Sequence, residues 1–284
     1  MLVFHEGFEL PAFAAFPLLR DATGRDALTR YYSGFLDLAT ETGLPFVFDT
    51  ATWRANRDWG ERLGFSPAEL DAVNTEAVAF VRETAAAHPE AVVTVDGLLG
   101  PRGDGYVVSE RMAAAEAADY HGAQIATFAT AGVDRITALT LTYPEEAIGI
   151  VRAAVAHGLD VVPSFTVEVD GRLPDGTPLA DALARLDEET GGAALFAMVN
   201  CAHPEHLAPA LDGRPELARL GGLRPNASRL SHAELDEAET LDNGDPAELG
   251  VGVAWLRAAL PNLRLLGGCC GTDVRHVREL LAAW

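Results

Sequence analysis

Seven short apolar runs punctuate the chain, at 45–50, 91–95, 135–141, 160–166, 194–200, 220–225 and 263–266, and each gives way to polar or turn-forming residues. Runs of this length without strict polar alternation predict strands covered on both faces. Between them the period changes. Over 26–43 the residues Leu28, Tyr31, Tyr32, Phe35, Leu36 and Leu38 return at helical spacing, and Gly43 supplies a C-terminal stop. Ser66-Pro67 reads as a capping hydroxyl before a proline at the first helical position, so a helix is expected to about residue 87. Further helices are expected over 109–130, from Glu145-Glu146, up to about residue 189, from Pro204, over 246–260 and over 272–283. Repeated strand–helix alternation of this kind predicts an α/β protein built on a parallel sheet.

At 284 residues the chain is long enough for one large domain, 1–284. It carries no apolar run long enough to span a bilayer and no basic segment ahead of an apolar core at its start, so a cytoplasmic protein with reduced thiols is expected. The formal net charge of -21 opposes binding to nucleic acid or to an anionic membrane surface. A homo-oligomer is compatible with the composition. All 21 basic residues are arginine, and this excludes the lysine amine that Schiff-base aldolases and covalent pyridoxal phosphate require.

The chemistry concentrates in three cysteines. Cys201 closes the run Ala194-Leu195-Phe196-Ala197-Met198-Val199-Asn200, and Cys269 and Cys270 follow Leu265-Leu266-Gly267-Gly268. Adjacent residues on a strand point to opposite faces, so two neighbouring cysteines converge on one centre only where the backbone bends, which flanking glycines permit. Three thiolates around Zn2+ would leave one tetrahedral position open, the arrangement of a catalytic site. Three core cysteines, or a disulfide with a spare thiol, are the alternatives at this level.

Val199-Asn200-Cys201 followed by Gly267-Gly268-Cys269-Cys270 resembles the homocysteine S-methyltransferase family, which includes betaine-dependent enzymes and the homocysteine domain of cobalamin-dependent methionine synthase. The resemblance extends over nearly the whole chain. It implies a (β/α)8 TIM barrel with one Zn2+ held by Cys201, Cys269 and Cys270, and transfer of a methyl group from an activated donor to a small thiol such as homocysteine or an analogue. Small onium donors fit a chain without folate or cobalamin domains. By the same resemblance Asp49, Thr50, Asp96, Thr140 and Asn226 are expected at the substrate, with Asn226 either a zinc ligand before substrate arrives or a turn asparagine. A zinc-dependent hydrolase or lyase is the alternative, ranked lower because three thiolates make bound water less acidic; an inactive zinc-binding homologue is the third reading.

The chain departs from the family pattern at several points. Ala51 stands where an asparagine is usual, and Arg224 replaces the tyrosine of a Tyr-Pro-Asn pattern that Asn226 completes. Leu139-Thr140 stands where homocysteine-specific members carry Glu-Thr, and leucine cannot accept a hydrogen bond from the substrate's ammonium. A thiol without an α-amino group is therefore expected to serve well, unless Asp49 or Asp96 takes over the lost role. The family's first strand, ending in an Asp-Gly-Gly-like loop, belongs ahead of residues 2–11, so the barrel is expected to lack that strand here, with a gap or a filler from residues 1–10. The glycine-rich stretch 96–106 is expected as a loop suited to close approach of a ligand, His121 as a packing residue, and the acidic run after Arg229 as a loop or lid.

Overall fold

The computed structural model describes every residue except 1, 2, 4, 5 and 109. Seven parallel strands form one curled sheet in sequence order: β1 (Phe46–Asp49), β2 (Val93–Leu99), β3 (Arg135–Leu141), β4 (Asp160–Phe165), β5 (Ala197–Asn200), β6 (Leu220–Arg224) and β7 (Leu265–Leu266). The helices are α1 (Ala22–Thr42), α2 (Arg57–Arg62), α3 (Pro67–Ala86), α4 (Ala114–Ala131), α5 (Pro144–Ala156), α6 (Leu179–Thr190), α7 (Pro204–Leu207), α8 (His232–Asp236), α9 (Pro246–Ala259) and α10 (Val274–Ala283). The element order is that of a TIM-like barrel. Among the described residues no helix is long and apolar enough to cross a membrane.

The two faces of the sheet differ in kind. Phe48, Val95, Ile136, Ala138, Val161, Phe165, Val199 and Leu223 point outward and pack with the helices into the main core. The alternate positions turn inward, as the two-residue period of a strand requires. There Asp49, Arg135, Thr137, Met198, Arg224 and Leu265 line a cavity of about 910 Å³. Phe196, Met198 and Leu265, which pack with Val162, give it an apolar patch. The cavity runs to the gap between β1 and β7, where Tyr31 and Phe35 of α1 and Leu281 of α10 close its side. Glu41 and Arg278 tie α1 to α10 across that gap with two bonds of 2.6 and 2.7 Å.

All seven expected strands are present, and the differences lie at their ends. Residues 96–99, expected to open a loop, continue β2, because Asp96 to Leu99 pair in register with Arg135 to Ala138 of β3. Helix α4 starts at Ala114, after an extended stretch in which the Met112 amide donates to the Tyr143 hydroxyl; Ser109, the expected start, lies outside the described residues. Helix α1 begins earlier than its apolar pattern, at an Asp21 cap whose carboxylate accepts from the Gly24 amide at 2.8 Å. The short α2, capped by Asn56, was not expected. Of the filler expected from residues 1–10, residues 1, 2, 4 and 5 lie outside the described residues, and 6–10 form no strand. The acidic run holds α8, with a Ser231–Glu234 capping box, and the Asp245 cap of α9.

Phe48 packs β1 against α1: it is fully buried, 4.6 Å from the Tyr32 ring and 5.5 Å from that of Phe46. Phe48→Ala is expected to cost about 3–5 kcal/mol of unfolding free energy in urea titration, whereas a loss below about 1 kcal/mol would mean that the gap side of the sheet repacks freely.

Candidate functional site

Cys201 is the first residue beyond β5 and takes a left-handed backbone, with φ of 55°. The chain after β7 stays in register with β6, since the Gly267 amide donates to Leu223 and the Cys269 amide to Pro225. Asn226 then ties the two segments together. Its Nδ2 donates to the Cys201 carbonyl at 3.0 Å, and its Oδ1 accepts from the Cys270 amide at 3.0 Å. The turn itself demands glycine twice. A side chain on Gly268 would collide with the Thr272 hydroxyl, which caps the Cys269 carbonyl at 2.7 Å, and Gly271 has φ of 77°.

The result is three sulfurs within 4.8 Å of one another. Cys201 and Cys269 are joined as a disulfide, and Cys270 is a free thiol exposed at the mouth. Cys201 Sγ and Cys270 Sγ are 3.7 Å apart. A tetrahedral zinc with sulfur at about 2.3 Å has an edge of about 3.8 Å, so this donor set suits the metal in both chemistry and spacing. A metal needs the thiolates that the disulfide consumes, which makes the two bound forms mutually exclusive states of one site.

The ends of β3, β4 and β5 are knotted around Asn200. Its Oδ1 accepts from the Thr140 amide at 2.8 Å and the Ser164 hydroxyl at 2.7 Å, and its Nδ2 donates to the Thr140 hydroxyl at 2.9 Å. Thr140 has φ of 63°, an outlier for a β-branched residue, and the β3–β4 register shifts beside it. Above the sulfurs stands Tyr106. Its hydroxyl lies 3.6 Å from Cys201 Sγ and 3.5 Å from Cys270 Sγ. Burial raises its pKa, so it remains a neutral donor. The Tyr106 ring stacks on His232 at 4.1 Å, and that imidazole bonds Glu168 at 2.9 Å and the Cys201 carbonyl at 2.7 Å.

Two ion pairs occupy the interior below. Asp49 pairs with Arg224, whose Nε also donates to the Gly268 carbonyl at 3.3 Å. Asp96 Oδ2 accepts from Arg135 at 2.8 Å and from Thr137 at 2.5 Å, while its enclosed Oδ1 has no partner among the described residues. Burial pushes the Asp96 carboxyl up to about 7 against the pull of Arg135.

Of the expected site residues, Cys201, Cys269 and Cys270 converge, Asn226 and Thr140 flank them, and Asp49 and Thr50 line the cavity. Thr50 is spent on fixing β1 to β2, accepting from the Leu98 amide at 2.9 Å. Asp96 lies deeper, and both polar ends of the Asn226 amide are engaged by backbone. His121 is buried and bonds Glu146 at 2.9 Å, away from the sulfurs. The roles of Tyr106, His232 and Asn200 were not anticipated; only the glycines around Tyr106 signalled that its loop lies close to a ligand.

A model of the homocysteine S-methyltransferase family matches residues 13–284. The chain belongs to this family. Homocysteine S-methyltransferase YbgG of Bacillus subtilis (strain 168) is 28% identical over 191 residues, 63% of this chain. That alignment spans 54% of YbgG, about half its length. Among solved structures, the homocysteine methyltransferase MmuM of Escherichia coli is similar in its metallated form (TM-score 0.74, 22% identity) and its oxidised form (TM-score 0.77, 22% identity), each over 98% of this chain and 91% of MmuM. At that identity the likeness speaks for the fold.

The Asp96 carboxyl generates a pH prediction. The folded protein keeps a proton there that the unfolded chain releases at the ordinary value of 3.8, so its contribution to stability declines as pH rises from about 4 towards about 7. His203, depressed to about 4 by burial, adds a slope of opposite sign in the same range. Comparing Asp96→Asn with the parent isolates the first effect: urea midpoints of the variant should fall less, or rise more, across this range. Parallel pH profiles for the two proteins would refute the assignment.

Proposed function

We propose that this protein is a zinc-dependent S-methyltransferase, a single barrel domain over 1–284, that moves a methyl group from an activated donor to the thiol of homocysteine. The observation that carries this reading is the meeting of Cys201, Cys269 and Cys270 within 4.8 Å at the carboxyl ends of β5 and β7. That end of a parallel barrel is where active sites are built. The place between β1 and β7 would take an eighth strand, which completes the barrel in this reading.

Cys201, Cys269 and Cys270 would hold the metal, and zinc, when bound, deprotonates the acceptor thiol and fixes its sulfur. The chain's own part is position. Asn226 sets the Cys201 and Cys270 backbones, and Asn200 with Thr140 sets the strand ends beneath them. Tyr106, stacked on His232, directs its hydroxyl at the sulfurs of Cys201 and Cys270. The Asp104 and Asp236 carboxylates add negative charge beside Tyr106, a field that draws a cationic donor such as a small onium compound. MmuM is known in metallated and oxidised forms; by analogy the Cys201–Cys269 disulfide is the oxidised form of this site, and a reducing compartment such as the cytoplasm would return its thiols.

Reduced protein is expected to hold close to one zinc per chain, and Cys201→Ala, Cys269→Ala and Cys270→Ala should each lose most of it by elemental analysis. Full zinc retention in any two of the three variants would remove the metal site.

A further inference from the structure

This inference rests on the methyl-transfer reading and asks how the acceptor's amino-acid end is held. Leu139 offers no acceptor for an ammonium at the strand end where homocysteine-specific members carry glutamate; its side chain is buried and its carbonyl accepts from the Trp53 indole at 3.4 Å. Two other acids belong to the barrel interior. Asp96 is already engaged by Arg135 and Thr137 and does not border the cavity. Asp49 does border it, as the last residue of β1. Its Oδ2 meets Arg224, and among the described residues its Oδ1 has no hydrogen-bond partner.

Arg224 is the last residue of β6 and lies between the cysteine-bearing strands. Its carbonyl accepts from the Cys201 amide at 3.0 Å, and the carbonyl of its neighbour Pro225 accepts from the Cys269 amide at 2.9 Å. Its guanidinium gives Nε to the Gly268 carbonyl and Nη1 to Asp49, while Nη2 has no acceptor among the described residues. One cation and one anion therefore stand side by side below the sulfurs, each with an unspent edge on the cavity.

We propose that Asp49 and Arg224 form the recognition site for the α-amino-acid group of the acceptor, the ammonium bonding Asp49 Oδ1 and the carboxylate bonding Arg224 Nη2. The pair is already neutral, so a zwitterion adds no net charge to the interior. A thiol carrying only one of the two charges leaves an uncompensated ion there. The same pair also staples β1 to β6 across the open side of the sheet, and the test must separate that role from recognition.

The product of methyl transfer to homocysteine, methionine, carries the amino-acid group without a thiol, so it reads this site whether or not metal is present. Calorimetric titration of the full chain should show methionine binding about 10- to 100-fold more tightly than its desamino and its decarboxylated analogues, the range of a charge-assisted hydrogen bond. Asp49→Asn should erase the discrimination against the desamino analogue, and Arg224→Gln that against the decarboxylated one, with zinc content unchanged in both. Equal binding of all three ligands, or binding of none, overturns the proposal, and folded variants that discriminate as the parent does reduce the pair to a staple. Should either variant fail to fold, Asp49→Glu and Arg224→Lys, which keep the charges of the staple but move them, carry the same test: unchanged discrimination in both overturns the assignment. Loss of zinc binding in the parent would instead count against the metal reading alone.

Discussion

The site depends on one constraint: three sulfurs from two separated strands must meet on the same side of a sheet whose side chains alternate. Regular strands cannot do this with Cys269 and Cys270 adjacent. The chain departs from strand geometry at each point of convergence, at Cys201 with φ of 55°, at Thr140 with φ of 63° and at Gly271 with φ of 77°. Left-handed backbone at two non-glycine residues, one of them β-branched, is unfavourable on its own. It persists because Asn200 and Asn226, both buried, satisfy the backbone groups that these bends expose.

The division of the sheet into an apolar outer face and a polar inner face follows from the same demand. Outward residues pack against the helices and carry the hydrophobic stability, which frees the inward positions for ion pairs and amides that would weaken an ordinary core. Val162, Phe196, Met198 and Leu265 form a small apolar cluster on the inner side. Asp49 and Arg224 lie at strand ends on the sulfur side, while Asp96 and Arg135 pair deeper, beside Phe196, and the low-dielectric surroundings strengthen both pairs relative to water.

This arrangement also explains what the sequence disclosed. The outer face of buried parallel strands reads as apolar runs, so the seven strands were legible, as was the convergence of the three cysteines through the glycines beside them. The end of β2 was not, because the inward Asp96 and the outward Gly97, whose missing side chain leaves room for Phe128 and Ile136, together imitate a loop. Helix α2 was too short to show a period. Arg224 was visible as a departure from the family pattern, but its partner Asp49 is 175 residues away, and only folding brings the two together. Tyr106 reaches the sulfurs from a loop that no periodicity governs.

The clamp around the cysteines acts on backbone rather than on sulfur. Asn226 bonds the Cys201 carbonyl and the Cys270 amide, and β6 holds the Cys201 and Cys269 amides. None of these bonds involves a thiol, so none is lost or gained when the Cys201–Cys269 disulfide is reduced. The two electrons and two protons of that reduction are confined to the sulfurs. In the reading proposed here, the metal-binding form therefore arises by side-chain movement within a scaffold already set, and the oxidised chain conserves the geometry of the site while its donors are withheld.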